Sequence, residues 1–404
     1  MRKLSRDSLA MVLLLGCIAG LGPLATDMYL ASLPALTGIF STDTGSVQLT
    51  LSAYMVSFAL TQLFFGPLSD RYGRRPLLLV GMGLFVVASL GCALSQSIEA
   101  LVFWRAVQGM GACGGVVMGR AVVRDLFERD RAARMMSMIA MALGVTPAIA
   151  PVLGGYLHFH LGWESNFFAM ALLGLMLCLA IALLLAESNT RLDPSATRPG
   201  PILRNFATLL RHRSYRGHVA CVAFCYGGLF TFISASSFVL IRVFGVSETL
   251  YGYCFALIVV GYISGAMIGT RLTLRLGSER MLRWGAGICA FGGSLMAGLS
   301  LVDHAQGAGS LHWFSVVGPM MIYMVGLGLT LPQGQAGGMQ PFPAMAGAAA
   351  SLMGFAQMTL GAVVGILVGH SLGGTALPLT LTIAAMGWLT FAAYWLVVRP
   401  ARPA

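Results

Sequence analysis

The sequence predicts an all-α membrane protein with twelve transmembrane helices in two six-helix halves. Three observations lead there. The 404 residues are 57% hydrophobic and only 10% charged, whereas soluble domains carry about 25% charged residues. The apolar residues fall in repeated runs of about 20, the length that crosses a hydrocarbon core of roughly 30 Å. Basic residues recur in every second connection, as the positive-inside rule demands of a chain that crosses repeatedly.

The runs lie at about 9–34, 46–69, 76–96, 98–122, 135–157, 164–186, 217–241, 250–273, 281–302, 312–334, 345–370 and 376–398. Starting from the inside, the cytoplasmic segments hold Arg2, Lys3 and Arg6, then Arg71, Arg74 and Arg75. Arg120, Arg124, Arg129, Arg131 and Arg134 follow, then Arg191, Arg198, Arg204, Arg211, Arg213 and Arg216. Arg271, Arg275, Arg280, Arg283, Arg399 and Arg402 complete the set, leaving only Arg105 and Arg242 elsewhere. The formal charge of +11 therefore reports topology, with both termini cytoplasmic, rather than a nucleic-acid surface. The first run is too long for a cleavable signal peptide and continues through Asp27.

All eight cysteines lie within the runs, without CxxC or CxxH spacing. Neither a disulfide framework nor a metal site is expected, and no cofactor is called for. Cys221 and Cys225 share a helix face and read as buried packing.

The one long polar connection, 187–216, reads ESNTRLDPSATRPGPILRNFATLLRHRSYR. Pro194, Pro199 and Pro201 forbid a continuous helix through it, while Ile202–Leu210 is amphipathic and flanked by arginine, suited to the membrane surface. It separates a half at 1–186 from a half at 217–404. An internal echo supports the division: DRYGRR (70–75) follows the second run and LRLGSE (274–279) the eighth, so Gly73 aligns with Gly277 and Arg71 with Arg275. Two related six-helix halves are the mark of a secondary transporter.

Three strings carry chemistry. In GPLSDRYGRRP (66–76), Gly66 permits close helix approach and Gly73 suits a turn with positive φ. Pro76 can open the third helix, and Arg71, Arg74 and Arg75 anchor the turn inside. In GVTPAIAPVLGG (144–155), Pro147 and Pro151 share a face and remove backbone donors, while Gly154 and Gly155 allow close packing. In LVFWRAVQGMGACGG (101–115), Arg105 is the one arginine well inside a run. Such a cation costs roughly 2.5–3.5 kcal/mol on insertion scales and needs a partner. Gly109, Gly111, Gly115 and Gly119 give the same helix a small-residue stripe.

Asp27 lies seven residues before Pro34 and Arg105 seven after Ile98. Both sit roughly 10 Å below the outer boundary at 1.5 Å per residue. Asp27 is the only carboxylate in the interior of a run, Glu99 and Glu164 standing at the start of theirs. Opposite charge favours its ionised form and burial its neutral form, so its protonation is expected to follow conformation. Tyr54, Gln108, Phe232, Ser236, Tyr253 and Gln335 are further polar or aromatic candidates for a central cleft. TLPQGQAGGMQPFP (330–343) holds too many Gly and Pro for a regular helix end and is a candidate cytoplasmic gate.

GPLSDRYGRRP resembles the signature loop between helices two and three of the major facilitator superfamily. The resemblance implies that fold, and a latch in which Asp70 caps helix eleven and joins Arg74 and Asp125 of VVRDLF (122–127). GVTPAIAPVLGG resembles the antiporter motif of drug exporters in that superfamily, with Ala150 where glycine is usual. The RxxQG spacing resembles its proton-coupling motif on helix four. TDMYL (26–30), QLTLSAYMVSFALTQLFFGPLSDRYGRRP (48–76), NFATLLRHRSY (205–215) and YGYCFAL (251–257) resemble the bicyclomycin-resistance (Bcr/CflA) branch of the drug:proton antiporters. Ala31 departs from the proline usual after DMYL.

The resemblance implies proton-driven multidrug efflux of small, largely apolar antibiotics or metabolites from a bacterial inner membrane. Asp27 and Arg105 would couple protons, and the same two with Tyr54, Gln108, Phe232, Ser236, Tyr253 and Gln335 would meet substrate. The partners expected are the substrate, protons and lipid, with no nucleic acid, and the working form is a monomer. A proton-coupled nutrient importer shares the fold but is disfavoured by GVTPAIAPVLGG. A membrane enzyme would need clustered His, Ser or carboxylates, whereas His158, His160, His212, His218, His304, His312 and His370 fall at loops and run ends. No GxxxxGK[ST] loop is present, so ATP hydrolysis in this chain does not supply the energy.

Overall fold

The computed structural model describes residues 9–127, 129–189, 192–306 and 312–399. The expectations that rest on Arg2, Lys3, Arg6, Arg191 and Arg402, and with them the placement of the termini, lie outside the described residues. So do the side chains of Arg120, Arg124, Arg129, Arg131 and Arg134.

Every long described element is a helix. In chain order they are α1 (Leu9–Asp27), α2 (Leu33–Ile39), α3 (Thr44–Tyr72), α4 (Arg74–Ala93), α5 (Ile98–Leu126), α6 (Arg129–Leu161) and α7 (Glu164–Leu184). Then come α8 (Pro199–Arg211), α9 (Arg213–Ser237), α10 (Glu248–Leu276), α11 (Ser278–Gln306), α12 (Phe314–Met339), α13 (Ala346–Ser371) and α14 (Leu377–Ala393). Among the described residues, eleven helical stretches are long and apolar enough to cross a bilayer. The fifth predicted run, 135–157, falls on α6, which is not one of the eleven; many of its side chains lie outside the description.

Local chemistry explains the boundaries. Ser97 accepts a hydrogen bond from the Ala100 amide and Ser247 from the Leu250 amide, capping α5 and α10. Gly73 (φ 98°) and Gly277 (φ 84°) hold left-handed turns at equivalent places in the two halves of the sequence, where a side chain would be strained. Pro199 opens α8, where a missing N–H is harmless.

The chain divides into two compact units. The first comprises residues up to Ser32 together with Leu49–Pro199. Within it α4 packs on α5 and α7, and α1 on α5 and α6. Main chains approach closely at Gly111, which faces the Gly81 carbonyl of α4. The second unit comprises Leu33–Gln48 and the chain from Gly200. There α11 packs on α12 and α14, and α9 on α12, α13 and α14. Arg242, on the π-helical turn Phe238–Val243, donates to the Pro34 carbonyl and the Thr37 hydroxyl, holding α2 in this unit.

Three expectations are corrected. The first run is not one helix: α1 stops at Asp27 and a 3-10 turn, Leu30–Ser32, precedes α2. The main chain of Met28 lies directly on Gly154 of α6, and Asn166 of α7 donates to the Ser32 hydroxyl (3.3 Å), so tertiary contacts replace helix continuation. Next, ahead of the 3-10 turn Pro343–Met345, 330–339 stays regular helix despite its Gly and Pro: α12 runs to Met339 and ends there. Its glycines are packing sites, with Val222 seated against Gly334, His218 against Gly337 and Met353 against Gly338. Last, Gly66 is not a close-approach site among the described residues, since a Cβ there would meet none of them within 4 Å.

Candidate functional site

Arg105 of α5 is fully buried, and the first unit has built a pocket around its guanidinium. Nη1 donates to the Ala25 carbonyl of α1 (2.9 Å) and to Gln108 Oε1 one turn along α5 (2.5 Å). Gln108 is itself held, its Nε2 donating to Ser89 Oγ of α4 at 2.8 Å. The rings of Tyr29 and Tyr54 stand 4.5 and 4.4 Å from the guanidinium carbon, with Phe167 of α7 at 5.9 Å. Cation–π attraction of this kind grows when the cation is desolvated. The rings are fixed in turn: the Tyr29 hydroxyl meets Thr50 Oγ1 at 2.5 Å, and the Tyr54 hydroxyl donates to the Gly22 carbonyl at 3.0 Å.

Asp27 closes α1 two residues beyond Ala25 and is 3% exposed. It makes no ion pair with Arg105; the buried arginine that does pair with carboxylates is Arg74, with Asp70 and Asp125. A carboxylate partner for Arg105 was the natural expectation. A guanidinium carries five donors and two faces, so a backbone carbonyl, an amide oxygen and two phenol rings serve instead. The structure thus brings Asp27, Tyr54, Arg105 and Gln108 into one unit, with Asp27 linked to Arg105 through the backbone of α1. Sequence reasoning missed Tyr29, Ser89 and Phe167. The signal was present for Tyr29, which stands two residues after the unusual aspartate.

The remaining candidates scatter over the second unit. Phe232 is buried against Phe255, ring centroids 5.9 Å apart, and the buried Ser236 hydroxyl meets Tyr251 at 3.0 Å. Tyr253 is exposed and Gln335 half-buried. Pro147 and Pro151 lie in an uninterrupted α6, with Pro151 and Gly155 buried.

A second polar assembly surrounds residues 66–75. Arg74, almost fully buried, reaches Asp70 (Nη2–Oδ1 2.6 Å), Asp125 (Nε–Oδ2 2.9 Å) and the Ser69 hydroxyl. Its amide and that of Arg75 donate to the two carboxylate oxygens of Glu187, at 2.9 and 3.0 Å. Glu187 therefore caps α4, which begins at Arg74 rather than at Pro76, because Gly73 has no side chain to do so. Arg75 donates to the Ala182 carbonyl (2.6 Å) near the end of α7. Beyond Glu187, Asn189 Nδ2 and the Asp193 amide both reach the Asp70 carbonyl, at 3.3 and 3.0 Å, and Arg71 Nη1 donates to Thr197 Oγ1 at 2.7 Å. The Ser195 hydroxyl, then its amide, hold the exposed Asp193 carboxyl below the usual carboxylate range.

Glu187 was not singled out from sequence, although an acid immediately after the sixth run, opposite a basic turn, is a readable cue. Glu187→Ala is expected to lower stability by about 1 kcal/mol, the usual scale for a lost N-cap. Glu187→Gln, which keeps an acceptor, should lose less; equal melting temperatures for wild type and Glu187→Ala would remove the cap from the account.

Among the described residues no group of three or more His, Cys, Asp or Glu side chains is arranged to hold a metal ion. Comparison with known proteins agrees with a transport fold. The chain is 29% identical to the bicyclomycin resistance protein homolog of Haemophilus influenzae, over 96% of each chain. It is 29% identical to multidrug resistance protein D of Escherichia coli, over 86% of this chain and 85% of that one. In fold it is similar to the crystal structure of a D-xylose-proton symporter, with TM-score 0.73 and 15% identity, covering 97% and 98% of the two chains. Residues 15–366 match the Major Facilitator Superfamily. The multi-pass helical architecture and that match give one conclusion: this chain is a membrane transporter belonging to the Major Facilitator Superfamily.

Proposed function

We propose that the protein is a proton-coupled multidrug efflux antiporter of the bicyclomycin-resistance (Bcr/CflA) branch, exporting small, largely apolar antibiotics or metabolites. In this reading twelve spans form halves at 1–186 and 217–404 joined by 187–216. A monomer works in a bacterial inner membrane with both termini cytoplasmic. The drug-resistance names of the relatives support the export direction. One observation carries the coupling: a buried carboxylate, Asp27, ends the helix whose carbonyl is gripped by the buried, aromatic-boxed Arg105. Intramembrane ionisable residues are costly and mark ion or substrate paths.

The cycle follows from charge. With the site open to the cytoplasm, ionised Asp27 and Arg105 form a neutral pair of opposite poles that accommodates substrate. Opened outward, Asp27 takes a periplasmic proton, the balance is lost and substrate leaves. The returning proton draws about 2.3 kcal/mol per 100 mV of membrane potential. In the latch, the Asp70–Arg74–Asp125 network holds the 66–75 turn in one state and releases it in the other. Tyr54, Gln108, Phe232, Ser236, Tyr253 and Gln335 are the proposed substrate contacts.

The test is accumulation of an antibiotic panel, bicyclomycin included, by everted vesicles under an imposed pH gradient. Asp27→Asn is expected to abolish gradient-driven accumulation while substrate binding persists. Unchanged accumulation with unchanged pH dependence would place coupling elsewhere, and substrate movement in the opposite sense would make the protein an importer.

A further inference from the structure

The helix α8 has two apolar faces, and packing within its unit uses one of them. Leu209 is fully buried and Phe206 half-buried, in a cluster with Tyr215 and Val222 of α9 and Ala349 and Met353 of α13. Tyr215 and Ala349 lie in the first turns of their helices. Thus α8 rests across helix ends instead of running beside a span. Its junction with α9 is the single residue His212, whose ring stands edge-on to Phe342 at 5.1 Å.

Leu203 and Leu210 take no part in that cluster and are 65% and 50% exposed. Seven residues apart, they share a face turned about 100° from Leu209. Arg204 and Arg211 each follow one residue later, a further 100° or so round the helix, and both are exposed. Buried, apolar and basic faces therefore succeed one another round α8, the order of a helix lying in a membrane interface. The surrounding charge has one sign. Arg213, Arg216, Arg280, Arg283 and Arg399 are exposed at the same helix ends. Among the described residues of this unit the carboxylate at that end is Glu279, which accepts from the Tyr394 hydroxyl at 3.2 Å. Asp43, Glu248 and Asp303 stand at the far ends of the spans.

We propose that α8 is a binding site for anionic phospholipid, with Leu203 and Leu210 against the acyl chains and Arg204 and Arg211 on the headgroup phosphodiester. A guanidinium can grip two phosphate oxygens at once. The open leucine face beside the arginines selects a lipid over a free phosphate, which has nothing to cover it.

The test is native mass spectrometry of the full-length, delipidated protein in detergent, titrated with dioleoyl phosphatidylglycerol or dioleoyl phosphatidylcholine. The two lipids share their acyl chains and differ in headgroup and net charge. A basic residue at an anionic surface adds about fivefold in affinity, so two arginines predict a preference for phosphatidylglycerol of about tenfold or more. Replacing Arg204 and Arg211 together by glutamine should remove most of that preference. The double change Arg271→Gln with Arg275→Gln takes the same charge from exposed positions on α10, which contributes nothing to the cluster under α8, and should keep most of it. Glycerol 3-phosphate should not displace the bound lipid. Equal affinity for the two lipids, equal losses from the two double variants, or displacement by glycerol 3-phosphate would each overturn the proposal. The comparison of lipids on the unaltered protein decides even where a variant does not fold.

Discussion

Gly154→Leu is expected to leave little folded protein in the membrane. A Cβ on residue 154 overlaps the Met28 carbonyl oxygen and stands 2.5 and 2.9 Å from the Met28 carbonyl carbon and Cα. The obstacle is backbone, which cannot rotate aside as a side chain would. Overpacked cores typically lose about 1–3 kcal/mol and occasionally more, and a main-chain clash belongs at or above the top of that range. The damage reaches function, because Met28 directly follows Asp27. Gly66→Ala is the matched control: with no described residue within 4 Å of an added Cβ, it should leave the melting temperature unchanged or slightly raised. Membrane yield and thermal unfolding in detergent check both. Wild-type values for Gly154→Leu would show that Met28, just past α1, and α6 are not in main-chain contact.

The second large effect is expected at Arg74. Replacing it by methionine leaves Asp70 and Asp125 together without their cation, and Ser69 without its donor. Removing one partner of a buried pair costs about 3–5 kcal/mol. Asp70 is 46% exposed and Asp125 19%, so both regain water and a loss of about 2 kcal/mol is the reasonable figure. Arg71 is the internal comparison. It is exposed, bonds Thr197 and lies over the Tyr72 ring at 5.1 Å, so Arg71→Met should fall within about 0.5 kcal/mol of wild type. A double-mutant cycle of Arg74→Met with Asp125→Leu should show coupling of the two losses. Equal damage from Arg71 and Arg74 would sink this assignment.

Much of the fold was legible because bilayer chemistry writes it in large letters. Runs of apolar residues, punctuated by arginines on one side, need no tertiary knowledge to read. Gly73 was legible as a positive-φ turn for the same reason, that its requirement is local. What sequence did not show depended on partners far along the chain. The end of α1 at Asp27 follows from Gly154, more than a hundred residues away, and the regularity of α12 through its glycines follows from His218, Val222 and Met353. The depth argument placed Asp27 and Arg105 at one level, but depth is a single coordinate. It says nothing of rotation about the helix axes, and rotation is what gave Arg105 to Ala25, Gln108 and two tyrosines rather than to Asp27.

Glu187, Asn189, Asp193 and Thr197 bear on how the chain can be cut. The first compact unit carries its own tail, extending through Pro199, and that tail closes the amide end of α4 and occupies the Asp70 carbonyl. Expressed fragments, fusion junctions and protease sites are usually placed where a hydrophobic segment meets polar chain, which here would fall just before Glu187. A break there would strip α4 of its acceptor and bare the turn at Gly73. A junction at Gly200, between the tail and the body of α8, leaves those bonds in the fragment that uses them.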